Sequence, residues 1–335
     1  MRLRTTALTA SAAGLLLVLS ACGDPGSGGG QAEPTGDGTS SAAVVCDPVA
    51  GDQLVVLDDD QGLQNADNII AAVNAETAEA NPAVLELLSS VSAALDTDAL
   101  IGLNKAVDID RQTSEQAAVE FVETVGLASD DQSVGEGVAL SIGTANFSES
   151  ATLGEIYAAV LGSAGFEVEL AAPANREAYY TELVSGNVDV VPEYAATLAE
   201  FINTTVNGAD AEPVASGDPD ATTAALTELG AEVGLVFSDV SAAQDQNAFA
   251  VTTEFAEEHG VTTLSELAEA CGGLVLAGPA ECPERPFCQP GLEETYGLEF
   301  AEFRSYDFGL IGDAVRQGEA ALGLVLSSDG SLATE

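Results

Sequence analysis

The sequence predicts an α/β fold in two lobes, on three observations. Val138 to Asn203 alternates apolar strand-like runs with helical patterns, and a second α/β set runs from Gly230 to Leu326. Roughly 290 residues follow an amino-terminal leader and tether, enough for two lobes. In the first unit, Ala139 to Ile142 is a short apolar run, after which Leu153, Ile156, Tyr157, Val160 and Leu161 fall three and four apart on one helical face. Phe166, Val168 and Leu170 alternate with Glu167 and Glu169. A helix-length segment then runs to Gly186, and Val188 to Val191 is a further apolar strand ended by Pro192. This is a parallel βαβαβ unit, whose functional edge lies at the carboxyl ends of its strands.

The amino terminus carries Arg2 and Arg4, an apolar run through Leu15, Leu16, Leu17 and Val18, and then Leu19-Ser20-Ala21-Cys22. The apolar region is too short to span a membrane and reads as a signal peptide. Small residues before a cysteine resemble the lipobox of bacterial lipoproteins, which makes Cys22 the lipidated first residue of the mature chain. An ordinary cleaved leader is the alternative. Gly23 to Ala43 is mostly Gly, Ser, Pro, Asp and Thr without periodicity and reads as a flexible tether.

Export places the remaining cysteines, Cys46, Cys271, Cys282 and Cys288, in an oxidising compartment. Two disulfides are expected, with the three possible connectivities open; the short spacing in ECPERPFC favours Cys282 with Cys288, which leaves Cys46 with Cys271. The formal net charge is −47, and beyond the leader the only Lys and Arg residues are Lys105, Arg111, Arg176, Arg285, Arg304 and Arg316. Such acidity excludes nucleic acid as a partner and reports a well-solvated surface. A buried ligand carboxylate has only that short roster to draw on for its counter-charge. An enzyme would have to work with one histidine, His259, cysteines committed to disulfides and no metal pattern. Catalysis is not expected, and no cofactor or metal is implied.

Along the chain, Gln53 to Leu57 reads as a strand, followed by the acidic turn Asp58 to Gly62. Helical patterns then dominate: Val84 to Leu95, Ala99 to Ala106, and Thr113 to Leu127, the last opening with Thr113 and Gln116 at capping-box spacing and closing at Gly126. Ser129 to Ser133 reads as a linker. In the second set, Gly230 to Phe237, Ala248 to Thr252, Leu274 to Ala277, Glu299 to Phe303 and Ala321 to Leu326 are strand candidates, with helical segments at Leu264 to Ala270 and Leu310 to Gln317. Two α/β sets, exported and tethered, read as a two-lobed binder holding its ligand in the cleft.

TANFSES at Thr144 to Ser150, GEIYAAVL at Gly154 to Leu161 and VDVVPEYAATL at Val188 to Leu198 resemble first-lobe motifs of the osmoprotectant-binding proteins of ABC importers. DQNAFAVT at Asp245 to Thr252, the segment Glu281 to Phe300, and SSDGSL at Ser327 to Leu332 are similar to that family's second-lobe motifs. The resemblance implies a two-lobed type II periplasmic-binding-protein fold, a small solute such as glycine betaine, choline or a related amine or zwitterion, and importer permease subunits as partners. With the lipobox, it implies an extracytoplasmic protein held to the cell membrane by lipid on Cys22. A tethered sensor or adhesion lipoprotein without a transport role, or a binder of a different polar cation or amino acid, is the alternative.

The stretch from Leu54 to Val73, with Asn81 to Leu127 after it, resembles the family's carboxyl-terminal segment, which normally follows the motif that ends this chain. The implied arrangement is a circular permutant: the usual ends are joined through Ala128 to Gly137, and new ends open between Glu335 and Cys46. An unrelated helical domain from Asn68 to Leu127 is the alternative. On the permuted reading, residues 1–21 are the leader and 22–45 the tether. Residues 66–244 form the first lobe, and 46–65 with 245–335 form the second lobe and hinge.

The resemblance also implies site residues. Tyr194 matches a cage tyrosine, Thr197 a hydroxyl donor to a ligand carboxylate, and Arg285 the arginine that pairs with it. Asp245 matches a position whose main chain faces the ligand, and Asn146 lies at the end of the first strand. Elsewhere the pattern departs: Ala145 replaces a lysine, and Asp67, Asn247 and Leu326 stand where cage tyrosines are expected. Asp67 and Asn247 thus join the candidate ligand contacts, as does Arg176, for which surface pairing is the competing role.

Overall fold

The computed structural model describes residues 44–172 and 174–333. The expected leader, Cys22 and the tether up to residue 43 lie outside the described residues. The strands in chain order are β1 (Val44–Val45), β2 (Leu54–Leu57), β3 (Ile69–Asn74), β4 (Ala139–Ile142), β5 (Glu167–Leu170) and β6 (Val190–Tyr194). They continue with β7 (Leu235–Phe237), β8 (Asn247–Thr252), β9 (Cys271–Gly272), β10 (Leu274–Gly278), β11 (Phe300–Ser305) and β12 (Leu322–Leu326).

Two five-stranded sheets, ordered β5-β4-β6-β3-β7 and β11-β10-β12-β8-β2, share one plan. In the first, β4 pairs parallel with β5 and β6, while β3 runs antiparallel to β6 and β7. In the second, β10 pairs parallel with β11 and β12, while β8 runs antiparallel to β12 and β2. Each antiparallel strand is entered from the other sheet, β3 from β2 through residues 58–68 and β8 from β7 through 238–246. Each sheet with its helices forms a lobe.

The antiparallel strands are the most enclosed. Every residue of β3 is buried; Ile69, Ala71 and Val73 join one core cluster, and Ile70 and Ala72 another. In β8, Phe249 and Val251 face one cluster while Ala248 and Ala250 face its counterpart. Helices cover both faces, so neither run needs polar alternation. That is why β3 escapes a periodicity reading and falls in a stretch expected to be helical: a short, continuously apolar run has no period separating strand from buried helix.

The helices of the first lobe are α1 (Ala75–Ala80), α2 (Ala83–Ala94), α3 (Thr97–Asn104), α4 (Ser114–Val125), α5 (Ser148–Ser163), α6 (Arg176–Val184), α7 (Ala195–Asn207) and α8 (Pro219–Val233). α4 carries the expected capping box: Thr113 Oγ1 accepts from Gln116 N at 3.2 Å, and the Gln116 side chain accepts from Thr113 N at 3.3 Å. Two strand expectations need correction. The Gly230 to Phe237 run is divided, because α8 continues to Val233 and Gly234, at φ 78°, ends it in the left-handed region that glycine adopts without strain; only β7 follows. Pro192 does not end its strand but lies within β6. Odd positions there bond β3, since Asp189 O accepts from Asn74 N and Ala195 N donates to Asn68 O, whereas Val190 O accepts from Gly143 N on the β4 side. The missing N–H of Pro192 therefore falls beyond the end of β4, where no ladder partner waits.

Both ends of the described chain lie in the second lobe. β1 pairs parallel with β9, so Val44 and Val45, the last residues expected to be tether, are strand instead. The pairing is held by the Cys46–Cys271 disulfide beside it, with Cα atoms 5.4 Å apart. At the other end, buried Leu332 packs into the cluster containing Leu54 and Ile311. Cys282 and Cys288 form the second disulfide. The segment after α4 lies on the first lobe, where Ser129 N donates to Ser163 Oγ and Gly135 N to Ala164 O.

Replacing Cys46 and Cys271 together by serine is expected to lower the unfolding free energy by about 2–5 kcal/mol, because the bridge closes a long loop. The midpoint of urea denaturation monitors this, and an unchanged midpoint would deny the bridge a structural role.

Candidate functional site

The two crossings lie side by side. Asn68 and Gln244 form an antiparallel bridge, Asp245 N donates to Asp67 O at 3.1 Å, and Asp67 N donates to Gln246 Oε1 at 3.2 Å. Over this junction opens a cavity of about 510 Å³. The first crossing contributes Gln64, Asn65 and Asp67; the second contributes Asp245 and Gln246, with Asn247 at the start of β8. Tyr194, at the carboxyl end of β6, and Ala196, Thr197 and Glu200, in the first turns of α7, form one wall, with Phe147 and Arg176 from the starts of α5 and α6. The second lobe supplies Phe287 and Leu326. The site therefore occupies the strand-end edge expected of an open α/β sheet.

Tyr194 is only 5 % exposed, and its hydroxyl donates to Glu149 Oε1 at 2.6 Å. Its ring stands 6.1 Å, centroid to centroid, from that of Phe147. Burial first, and then the charges of Glu149 and Asp245, hold the phenol well above its ordinary pKa, so it stays a donor. Glu149 also accepts from Asn104 Nδ2 at 2.5 Å, and the same amide donates to Ser328 O at 2.8 Å, which joins the first lobe to the second.

Arg176 lines the cavity, but its Nε and Nη2 donate to the two oxygens of Glu193 at 3.0 and 2.9 Å. Glu193 is buried and accepts the Tyr179 hydroxyl at 2.8 Å as well. A carboxylate in the fully buried strand Val190-Val191-Pro192-Glu193-Tyr194 needs such a partner. Arg176 is thus committed to the wall by a pair with a buried acid rather than by the surface pairing that was its competing role.

Asp67 and Thr197, both candidates, meet each other. Thr197 N donates to Asp67 Oδ1 at 2.9 Å, and Thr197 Oγ1 makes a short hydrogen bond to Asp67 Oδ2. Tyr194, at the N-cap position of α7, provides no side-chain cap, so Asp67 reaches across from the crossing to fill that role. Asp245 accepts from Ser328 Oγ at 2.9 Å. Asn247 opens β8 opposite Leu326 of β12.

Two candidates are elsewhere. Arg285 is exposed and does not line the cavity; the loop closed by Cys282 and Cys288 presents Phe287 there instead. Asn146 is likewise exposed, and its neighbour Phe147 takes the cavity position. Phe147 and Phe287, 47 % and 43 % exposed, were not singled out by sequence, nor were Glu149 and Glu193. The two acids had a readable signal, since each is a charged residue in a motif otherwise made of core residues.

The comparisons with known proteins follow the same line. The family model described as the substrate-binding domain of the ABC-type glycine betaine transport system matches residues 48–124 and 138–334. The chain belongs to this family. Its mixed α/β architecture, with two sheets of like order, is the type II periplasmic-binding fold that the resemblance implied. Among solved structures, one of a glycine betaine/carnitine/choline ABC transporter is 18% identical over 58% of this chain and 70% of that chain, with a TM-score of 0.43. Apo YehZ from Escherichia coli is 21% identical over 58% of this chain and 71% of that one, with a TM-score of 0.47. Among the described residues no helix is long and apolar enough to cross a membrane.

Burial pushes the Asp67 carboxyl up to about 6, against its bonds from Thr197, with Glu193 adding to the rise and Arg176 opposing it. Burial and then Glu149 and Asp67 push Asp245 up to about 7, while Ser328 opposes. The folded protein thus holds protons that the unfolded chain releases. Their contribution to stability is full below the ordinary value of 3.8 and is lost as pH rises through about 6 and 7. Asp67→Asn and Asp245→Asn should each flatten the fall in ligand-free melting temperature between those limits. Melting curves across the window test this; slopes equal to wild type in both variants would contradict it.

Proposed function

We propose that this chain is the solute-binding lipoprotein of an ABC importer, holding a small ammonium-bearing compatible solute of the glycine betaine and choline kind between its lobes. The observation that carries the reading is the cavity over the paired crossings, where Phe147, Tyr194 and Phe287 offer aromatic faces and Asp67 and Asp245 offer carboxylates. A cation attracted to ring faces and acids fits such a lining. Closure of the lobes about the two crossings would bury the solute and present the form that docks on the permease. Cys22 would carry the lipid, with 22–43 as the tether.

The proposed order is a circular permutation, with 66–244 as the first lobe and 46–65 with 245–335 as the second. The like plan of the two sheets supports it: read from β4 onward, the strands other than the antiparallel β3 and β8 fill their sheets in the same succession, β4-β5-β6-β7 in one and β10-β11-β12-β2 in the other. The two matched family segments leave residues 125–137 between them, where the usual termini would be joined.

Choline or a related solute at about a hundred times its dissociation constant should stabilise the purified chain by about 2.7 kcal/mol. Tyr194→Ala should weaken that response, whereas Arg285→Ala should leave it unchanged, as Arg285 does not line the cavity. Differential scanning fluorimetry decides. A flat response to quaternary amines, amino acids and polyamines alike would remove the reading. Separately, Cys22→Ala should shift the protein from the membrane fraction to the soluble fraction; retention in the membrane would count against the anchor.

A further inference from the structure

We propose that Asp67 is a specificity-determining residue: its carboxylate occupies the donors that a ligand carboxylate would use, so the cavity takes an ammonium solute with no carboxylate of its own. The inference rests on the solute-binding reading above and narrows its ligand.

Beyond neutral side-chain amides such as those of Asn65 and Asn247, an anion entering this cavity has two places to go. The first is the amino-terminal turn of α7, where unpaired N–H groups and the helix dipole favour negative charge. There the Thr197 amide already donates to Asp67 Oδ1 at 2.9 Å, and the Thr197 hydroxyl donates to Asp67 Oδ2. Asp67 is fixed from behind as well, since its own N–H donates to Gln246 Oε1 and its carbonyl accepts from Asp245 N. The seat is filled by a part of the chain that the crossing holds in place.

The second place is a cationic side chain. Among the described residues, Arg176 is the one Lys, Arg or His residue lining the cavity, and its Nε and Nη2 bind both oxygens of Glu193. Drawing it toward a ligand would leave Glu193 buried without its counter-charge. Arg285 lies outside the lining. A zwitterion would therefore bring its carboxylate against Asp67 with no compensating cation.

The opposite charge finds the reverse situation. Glu200 is engaged, with Oε1 accepting from Val214 N and Ala215 N at 2.6 and 2.7 Å. Asp67 and Asp245 lie side by side on the two crossings, where Asp245 N donates to Asp67 O, and their upward shifts reflect carboxylates buried with too little positive charge nearby. A bound ammonium group would supply it, with Phe147, Tyr194 and Phe287 around it.

The test is isothermal titration calorimetry on the full chain with two matched pairs of probes: choline with glycine betaine, and 1,4-diaminobutane with 4-aminobutyrate. Within each pair, one member carries a carboxylate and the other does not. Wild type should bind a carboxylate-free member at least about tenfold more tightly than its partner, the scale of one charge-assisted hydrogen bond. Asp67→Ala vacates the seat and should reduce or reverse that preference. Asp67→Asn removes the charge while keeping the shape, and should move it in the same direction should the alanine variant fail to fold. Equal or tighter binding of glycine betaine than choline by wild type, or a preference unchanged in both variants, overturns the proposal and leaves the solute-binding reading standing. No binding of any of the four probes by wild type overturns both.

Discussion

The antiparallel contact between the two crossings, at Asn68 and Gln244, sets the position of everything else in the site. It is short, but it joins strands that are buried on both faces in their own lobes, so it cannot slide without pulling β3 or β8 out of register. A one-residue slip would exchange the two core faces of either strand. The crossing residues therefore meet the cavity at fixed heights, and Asp67 arrives opposite Thr197 because Ile69 is seated in the core two residues later.

Around that junction the charges are arranged by scarcity. A chain of formal charge −47 has few cations, and the one at the cavity wall is used to make a buried glutamate tolerable. The acids that remain are managed by other means: Asp67 by a helix terminus and a hydroxyl, Glu149 by an amide and a phenol, and Asp245 by a serine. Each neutral donor is weaker than an ion pair, which leaves the interior of the cleft negative. The same donors also connect the lobes, because Asn104 holds Glu149 on one side and the Ser328 carbonyl on the other. Charge state and lobe contact are thus joined through a few side chains.

Much of this was legible before any coordinates. The βαβαβ unit, the α4 capping box and the cysteine pairing favoured by spacing agree with the structure, and six of the eight candidate residues border the cavity. What escaped has identifiable causes. β3 has no periodicity to read, since both of its faces are covered. Gly230 to Phe237 looked like one apolar run because a left-handed turn at Gly234 leaves no mark beyond a single glycine. Arg285 and Asn146 stand outside the cavity lining, where Phe287 and Phe147 lie instead: a motif fixes which loop comes near the cavity, but the loop's local geometry decides which side chain borders it. The meeting of Asp67 with Thr197 was hidden for another reason, since 130 positions separate them and only the fold brings them together.

The disulfide between Cys46 and Cys271 has a topological consequence. β3 to β8, both crossings and the whole first sheet lie between these two cysteines in the chain, so the first lobe is contained in a single covalent ring closed on the second. A hinged protein outside the cell exposes its crossings to proteases. Here one cut in either crossing opens the ring without releasing a fragment, and the nicked molecule stays in one piece for as long as the bridge remains oxidised.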